Sequence, residues 1–158
     1  MLRDPRTYAI IGCAMATHRK LGPGFKESAY QEGLALEFAK QGVPFAREVP
    51  FGITYDGVRL RTNHRADFVC FGEVLVELKA KVGFALPDTM QVVSYLRASG
   101  LSTGLLLNFG LGSLEHRRYV FTHGNTPQSA KWQSWDGGHP QRLGPGGMPD
   151  PGSAQSAP

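Results

Sequence analysis

The spacing of apolar residues predicts two helices at the start of the chain. The first is expected to begin at Asp4-Pro5, an N-capping acid followed by a proline, and to continue to Leu21. The second is expected from about Lys26 to Gln41, with Gly42 just past its end. The side of this second helix that is expected to face a sheet carries Glu27, Tyr30, Gln31 and Leu34.

From residue 45 onward, apolar runs and β-branched residues predict strands separated by turns. The predicted strands are 45–55, 58–61, the two halves of a hairpin over 65–79, 103–109 and 117–121. A connector is expected over 62–64, and a third helix is expected from Pro87-Asp88 to about Ser99. This order predicts one α/β domain over residues 1–121, with a mixed sheet that is centred on the antiparallel hairpin and flanked by helices.

The hairpin carries three charged residues, Asp67, Glu77 and Lys79, inside otherwise apolar runs. Burying charge is costly unless it is paired or binds a metal, so these residues indicate either an ion-pair network or a functional site. Glu77 and Lys79 share a face because they are two apart on a strand. A three-residue loop would pair Cys70 with Val74 and set Asp67 opposite Glu77, and we predict that register.

Composition and charge exclude only a few classes of function. The 158 residues are 41% hydrophobic, which is ordinary for one globular domain, and no apolar run approaches the roughly 20 residues of a membrane span. With no signal-peptide pattern at the N-terminus, a cytoplasmic location is expected. Cys13 and Cys70 are expected to be buried free thiols rather than part of a zinc site. The net charge of +4 permits a polyanionic partner without requiring one.

The last part of the chain, residues 122–158, has a different composition, with 7 glycines and 6 prolines. Such a share is typical of low-complexity sequence, so we predict that 122–136 is partly ordered and 137–158 is disordered. Trp132 and Trp135 are the exceptions in this tail. They would dock on the body of the protein, on a partner, or on nucleic-acid bases.

Several short motifs occur in a fixed order and together resemble one protein family. They are His18 to Gly24, Gly24-Phe25-Lys26-Glu27-Ser28-Ala29-Tyr30, Arg65-Ala66-Asp67, Val76-Glu77-Leu78-Lys79 and Gln91-x-x-x-Tyr95. Over about residues 5–121 the chain resembles the GxxExxY protein family, within the restriction-endonuclease-like PD-(D/E)xK nuclease superfamily. It departs from that pattern at Asn63-His64, where a Gly-Tyr-like step is expected before Arg65.

The resemblance implies a metal-dependent nuclease that hydrolyses phosphodiester bonds, with DNA as the expected substrate. Asp67, Glu77 and the backbone carbonyl of Leu78 would bind Mg²⁺ or Mn²⁺, with Glu27 as an additional acid toward the metal. Lys79 would orient or deprotonate the attacking water, or stabilise charge on the phosphorus centre.

Further residues are assigned roles by the same resemblance. Gln91 would contact the phosphate or position Lys79, and Glu27 and Gln91 are expected to converge on the face of Glu77. The candidate substrate contacts are Arg65, Tyr30 and Tyr95, although the two tyrosines could instead bond to the site network, and Gln91 and Tyr95 could be a plain pair on a helix surface. A basic rim for the nucleic-acid backbone would comprise Arg47, Arg59, Arg61, Arg65 and Lys81, although a solvated strand face explains these residues equally well.

Two other functions stay open from the sequence. One is a non-catalytic nucleic-acid-binding or complex-forming domain that retains the nuclease fold. The other is a structural module whose tryptophan-bearing tail binds another protein, and a homodimer is also compatible with the sequence. A metal titration separates these from the nuclease, because neither needs Mg²⁺ or Mn²⁺.

Overall fold

The computed structural model describes residues 4–123, so the predicted tail lies outside the described residues except for Thr122 and His123. The helices are Pro5–Leu21 (α1), Glu27–Gln41 (α2) and Leu86–Ser99 (α3). The strands are Phe45–Tyr55 (β1), Val58–Cys70 (β2), Val74–Lys79 (β3), Thr103–Asn108 (β4) and Glu115–Val120 (β5).

The ends of the first two helices follow the signals in the sequence. The Asp4 side chain caps α1 by accepting a hydrogen bond from the backbone N–H of Arg6 at 3.0 Å. Gly42 ends α2 in a left-handed conformation at φ 73°, which a glycine adopts without a steric penalty. Both predicted helices are therefore confirmed.

The five strands form one sheet in the order β1-β2-β3-β4-β5. Neighbouring strands are antiparallel except β3 and β4, which are parallel and are connected through α3. Helices α1 and α2 pack on the face that carries Val74, Val76 and Leu78, whereas α3 packs on the face that carries Leu75. The predicted mixed sheet flanked by helices is confirmed.

The predicted register of the central hairpin is also confirmed, because Cys70 pairs with Val74. The turn between them has positive φ angles at Phe71 (55°) and Gly72 (68°), and the Glu73 N–H donates to the Cys70 carbonyl at 3.0 Å. Positive φ at both central positions is typical of tight turns whose twist matches that of antiparallel strands. The turn thus fixes the register that brings Asp67 toward Glu77.

Several predicted boundaries were wrong. Residues 62–64 are not a connector, since Asn63 pairs with Gly52 and His64 pairs with Phe51 within a continuous β2. The last strand begins at Glu115 instead of Arg117, because Glu115 pairs with Asn108. Helix α3 begins one residue earlier than predicted, and β4 and β5 each end one residue earlier.

In the described part of the chain, no helix is both long enough and apolar enough to cross a membrane.

Candidate active site

The site lies where β2 and β3 separate. Their pairing ends at Phe68 and Val76, so the last three residues of β3 pair only with β4. The strict alternation of β2 also breaks here, because Ala66 and Val69 pack in the same apolar cluster although they are three residues apart. The result is an opening in the sheet bordered by Asp67 on β2 and by residues 77–79 on β3.

The Asp67 side chain takes the place of a strand partner in this opening. Its Oδ2 accepts the backbone N–H of Leu78 at 2.8 Å, and its own backbone N–H donates to Oε1 of Glu77 at 3.2 Å. The N–H and C=O of one strand residue point to the same side of the strand, so the Leu78 carbonyl is directed into the opening as well. The opening is therefore lined by oxygen atoms.

The two carboxyl groups are buried together. Only 3% of Glu77 is exposed, and burial together with the negative charge of Asp67 raises the pKa of Glu77 to about 9. Burial also raises the pKa of Asp67, while its hydrogen bonds from the Leu78 N–H, from Gln31 and from Glu77 act in the opposite direction. Without a cation, the pair is expected to retain a proton that the two carboxyl groups share.

Lys79 is held by helix α3. Its ammonium group donates to Oε1 of Gln91 at 2.8 Å, and Nε2 of Gln91 donates to the hydroxyl of Tyr95 at 2.9 Å. Within residues 4–123, Lys79 forms no ion pair with a carboxylate at 4.0 Å or closer. Two of its three N–H donors therefore stay available for a bound molecule.

Helix α2 reaches Asp67 through the opening. Gln31, of which only 7% is exposed, donates from Nε2 to Oδ1 of Asp67 at 2.8 Å and to Oε1 of Glu48 at 3.2 Å. Its Oε1 accepts from Nε of Arg47 at 2.9 Å. The sequence placed Gln31 on the sheet-facing side of α2, but no signal linked it to Asp67, which lies 36 positions further along the chain.

Glu27 lies at the first turn of α2 and is solvent-accessible. Partial burial and the charge of Asp67 raise its pKa, while Lys79 lowers it, so Glu27 is near enough to both residues for their charges to act on it. Helix α2 packs on the opposite face of β3 from Glu77, so Glu27 and Gln91 belong to helices on the two faces of the sheet, and their convergence on the face of Glu77 stays a prediction. The two helices approach the opening from its two sides.

The donor set suits a hard divalent cation. Two carboxyl groups that share a proton can bind a cation in its place, and a carbonyl oxygen lies beside them. Among the described residues, no three acidic, histidine or cysteine side chains come together as a metal-binding group, so Glu27 does not complete a third carboxylate ligand. Mg²⁺ is commonly bound by one or two carboxylates and completes its octahedron with water, so Asp67, Glu77 and the Leu78 carbonyl fit such an ion.

The two tyrosines that were candidates for substrate contact are buried. Tyr30 is fully buried and stacks on Phe109, and its hydroxyl donates to the Gly22 carbonyl at 2.6 Å. It cannot meet a substrate there, which corrects the expectation of a substrate contact. Tyr95 is also buried, beside His64 at 5.3 Å between ring centroids, and reaches the site only through Gln91.

Several members of the predicted basic rim have partners within the protein. Arg65 is 66% exposed along its side chain and pairs with Glu48 at 3.0 Å, next to the site. Lys81 forms an ion pair with Asp88. Arg47 donates a hydrogen bond to Gln31, and the guanidinium of Arg59 lies against Gly52. Arg61 is exposed on β2.

The free cysteines and His18 play no part in this site. Cys13 and Cys70 are buried free thiols, as predicted. His18 contacts the carbonyl of Leu111 at 2.8 Å and stacks on Phe109, so it is part of the packing between α1 and the sheet.

Sequence and structure comparisons relate the chain to known proteins. No curated protein matches the chain. Among solved structures, the crystal structure of SSO0001 is similar, with a TM-score of 0.42 and 14% sequence identity over 70% of this chain and 66% of that chain. This chain therefore spans slightly less than two thirds of SSO0001. The model of the PD-(D/E)XK nuclease superfamily matches residues 4–119, and the chain belongs to that superfamily.

Proposed function

We propose that this protein is a Mg²⁺- or Mn²⁺-dependent nuclease that hydrolyses phosphodiester bonds of DNA. The observation that carries the proposal is the pairing of Asp67 with Glu77 at the opening between β2 and β3, with Lys79 next to Glu77 and held by Gln91. Within the described residues, Lys79 forms no ion pair with a carboxylate. A buried pair of acids beside a lysine with free N–H donors therefore has no evident structural role.

The metal ion would be bound by Asp67, Glu77 and the Leu78 carbonyl, and when bound it would activate water and stabilise charge on the phosphate. Lys79 donates hydrogen bonds to the attacking water or to a phosphate oxygen, using the N–H groups that Gln91 leaves free. Gln91 and Tyr95 fix the direction of the lysine, which keeps its donors on the side of Glu77.

Two neighbouring residues extend the site toward its substrate. Arg65 lies exposed at its border and contacts a phosphate of the DNA backbone. Glu27 would accept hydrogen bonds from water molecules around the metal ion, without binding the ion directly.

We also assign the chain to the GxxExxY family within the superfamily. The support is the motif from Gly24 to Tyr30, in which Glu27 has a pKa that the charges of Asp67 and Lys79 shift, while the Tyr30 hydroxyl bonds the Gly22 carbonyl before α2. The two free buried thiols support a reducing compartment such as the cytoplasm.

The test compares wild-type protein with Lys79→Ala on labelled single- and double-stranded DNA and RNA, in Mg²⁺, in Mn²⁺ and in EDTA. We expect metal-dependent cleavage of DNA by the wild type and a loss of at least about a hundredfold in the variant, because positioned proton-transfer groups contribute about that much. The Mn²⁺ affinity of the variant should stay close to that of the wild type, since Lys79 is not a ligand.

Lys40→Ala is the matched control. Lys40 is an exposed lysine in the last turn of α2, about 20 Å along the helix from Glu27, and its removal should leave cleavage unchanged. Equal cleavage by wild type and Lys79→Ala would refute the catalytic lysine. A wild-type protein that binds nucleic acid but neither binds Mn²⁺ nor cleaves any substrate would favour the non-catalytic binding domain.

A further inference from the structure

Both N–H groups and the oxygen of the Gln31 amide are hydrogen-bonded within the protein. Its two N–H donors go to two different carboxylates, Asp67 and Glu48, and its oxygen accepts from the guanidinium of Arg47. Gln31 is buried, so losing any one of these partners would leave a polar atom without water to replace it.

These partners leave the amide only one orientation. If the amide were turned by 180°, its oxygen would face Asp67 and Glu48, and its N–H groups would face a guanidinium that has no acceptor. Arg47 and Glu48 thus force the Gln31 donor toward Oδ1 of Asp67, while the Leu78 N–H holds Oδ2. Both oxygens of Asp67 are thereby fixed, and each keeps a lone pair free.

Glu48 has an unusual backbone. It lies inside β1 at φ 56°, in the left-handed region that non-glycine residues rarely adopt. It also drops out of the pairing with β2 at the position opposite Asp67, since Arg47 pairs with Phe68 and Val49 pairs with Ala66. A glycine would adopt this conformation without strain, yet the chain has a glutamate whose side chain bonds both Gln31 and Arg65.

We propose that Gln31 is a positioning residue that fixes the Asp67 carboxylate for its metal, and that Glu48 orients the Gln31 amide for this task. This inference rests on the proposed metal site. It assigns a purpose to the strained backbone at Glu48, because the side chain at that position is what holds the amide.

The test measures Mn²⁺ binding directly, by electron paramagnetic resonance of free Mn²⁺, together with thermal unfolding in EDTA. Gln31→Met keeps the length of the side chain and the helix propensity but removes the amide. We expect its dissociation constant for Mn²⁺ to rise by about tenfold or more, as for other groups that orient metal ligands. Glu48→Gly should raise the dissociation constant by roughly threefold or more.

Thermal unfolding separates positioning from a merely structural role. Glu48→Gly relieves the strained backbone, which offsets the cost of leaving one Gln31 N–H without its acceptor, so its Tm should lie no more than about 2 °C below that of the wild type, or above it. Weaker Mn²⁺ binding in a variant of undiminished stability is the expected signature. The control is Gln41→Met, the same substitution about 15 Å along α2, where the amide donates to Glu37 at 3.1 Å.

The outcomes are distinct. A wild type that binds no Mn²⁺ would remove the proposed metal site and this inference with it. A wild type that binds Mn²⁺ while Gln31→Met and Glu48→Gly bind it equally well would overturn the inference and leave the proposed nuclease intact. If Gln31→Met does not fold, the test rests on Glu48→Gly. An unchanged Mn²⁺ affinity in that variant then overturns the inference.

Discussion

Glu77 is a buried acid whose raised pKa should make the stability of the metal-free protein depend on pH. Its pKa lies near 9 in the folded protein and near 4.5 in an unfolded chain, so the unfolded chain loses this proton first as pH rises. The stability contributed by the protonated group is complete below about pH 4.5 and is lost progressively toward pH 9. Asp67, whose pKa is also raised, acts in the same direction.

Glu77→Gln replaces this acid by a neutral group of the same shape that can still donate to Asp67. In EDTA, the difference in unfolding free energy between the variant and the wild type should increase in favour of the variant by at least about 1 kcal/mol from pH 5 to pH 8. Urea unfolding at several pH values measures this difference, with Glu32→Gln on the exposed side of α2 as control. A constant difference across that range would show that Glu77 is ionised in the folded protein.

At the scale of elements, the end of β4 holds the segment that follows Lys79 through hydrogen bonds. Asn108 accepts the Lys81 N–H at 3.0 Å and donates to the Lys81 carbonyl at 2.9 Å. A Cβ added at Gly110 would lie 2.3 Å from the backbone N and O of Lys81, whereas one added at Gly112 would meet nothing within 4 Å. The glycine at 110 is thus required by close approach of two backbones.

Gly110→Ala is therefore expected to destabilise the protein by about 2 kcal/mol or more, because the Lys81 backbone cannot move without breaking both bonds to Asn108. Gly112→Ala should change the unfolding free energy by no more than about 0.5 kcal/mol. Urea denaturation of the two variants makes the comparison. Equal stabilities would mean that the segment at Lys81 yields easily and does not hold the end of β3.

The elements differ in how well the sequence predicts them, for physical reasons. α1, α2 and the central hairpin were predicted correctly because their signals are local: a capping acid before proline, a glycine after the helix, and alternation around a tight turn. Residues 62–64 were missed because exposed polar residues resemble a connector, and only pairing with β1 makes them a strand.

The residues of the candidate site also differ in how well the sequence predicts them. Asp67, Glu77 and Lys79 were recognisable because charge inside apolar runs contradicts a simple core. The left-handed backbone of Glu48 has no sequence signal, since glutamate has no preference for that conformation. Its link through Gln31 to Asp67 joins residues on three elements, which no local pattern can reveal.

At the scale of the whole molecule, both apolar clusters are built from residues 9–121. The family match ends at residue 119, and His123 still contacts the Leu101 carbonyl at 2.9 Å. Residues 1–123 should therefore fold alone, with an unfolding free energy within about 1 kcal/mol of the full chain. A chain that ends at residue 136 should match the full chain within about 0.5 kcal/mol.

The denaturant m-value is the sharper measurement for these two truncated chains, because it scales with the surface that unfolding exposes. If residues 124–158 bury nothing on the body, the m-values of all three chains should agree. A lower m-value for residues 1–123 than for residues 1–136 would instead locate a docked segment at Trp132 and Trp135. In that case Mn²⁺ binding and cleavage by the shorter chain would tell whether the segment covers the opening between β2 and β3 or packs elsewhere.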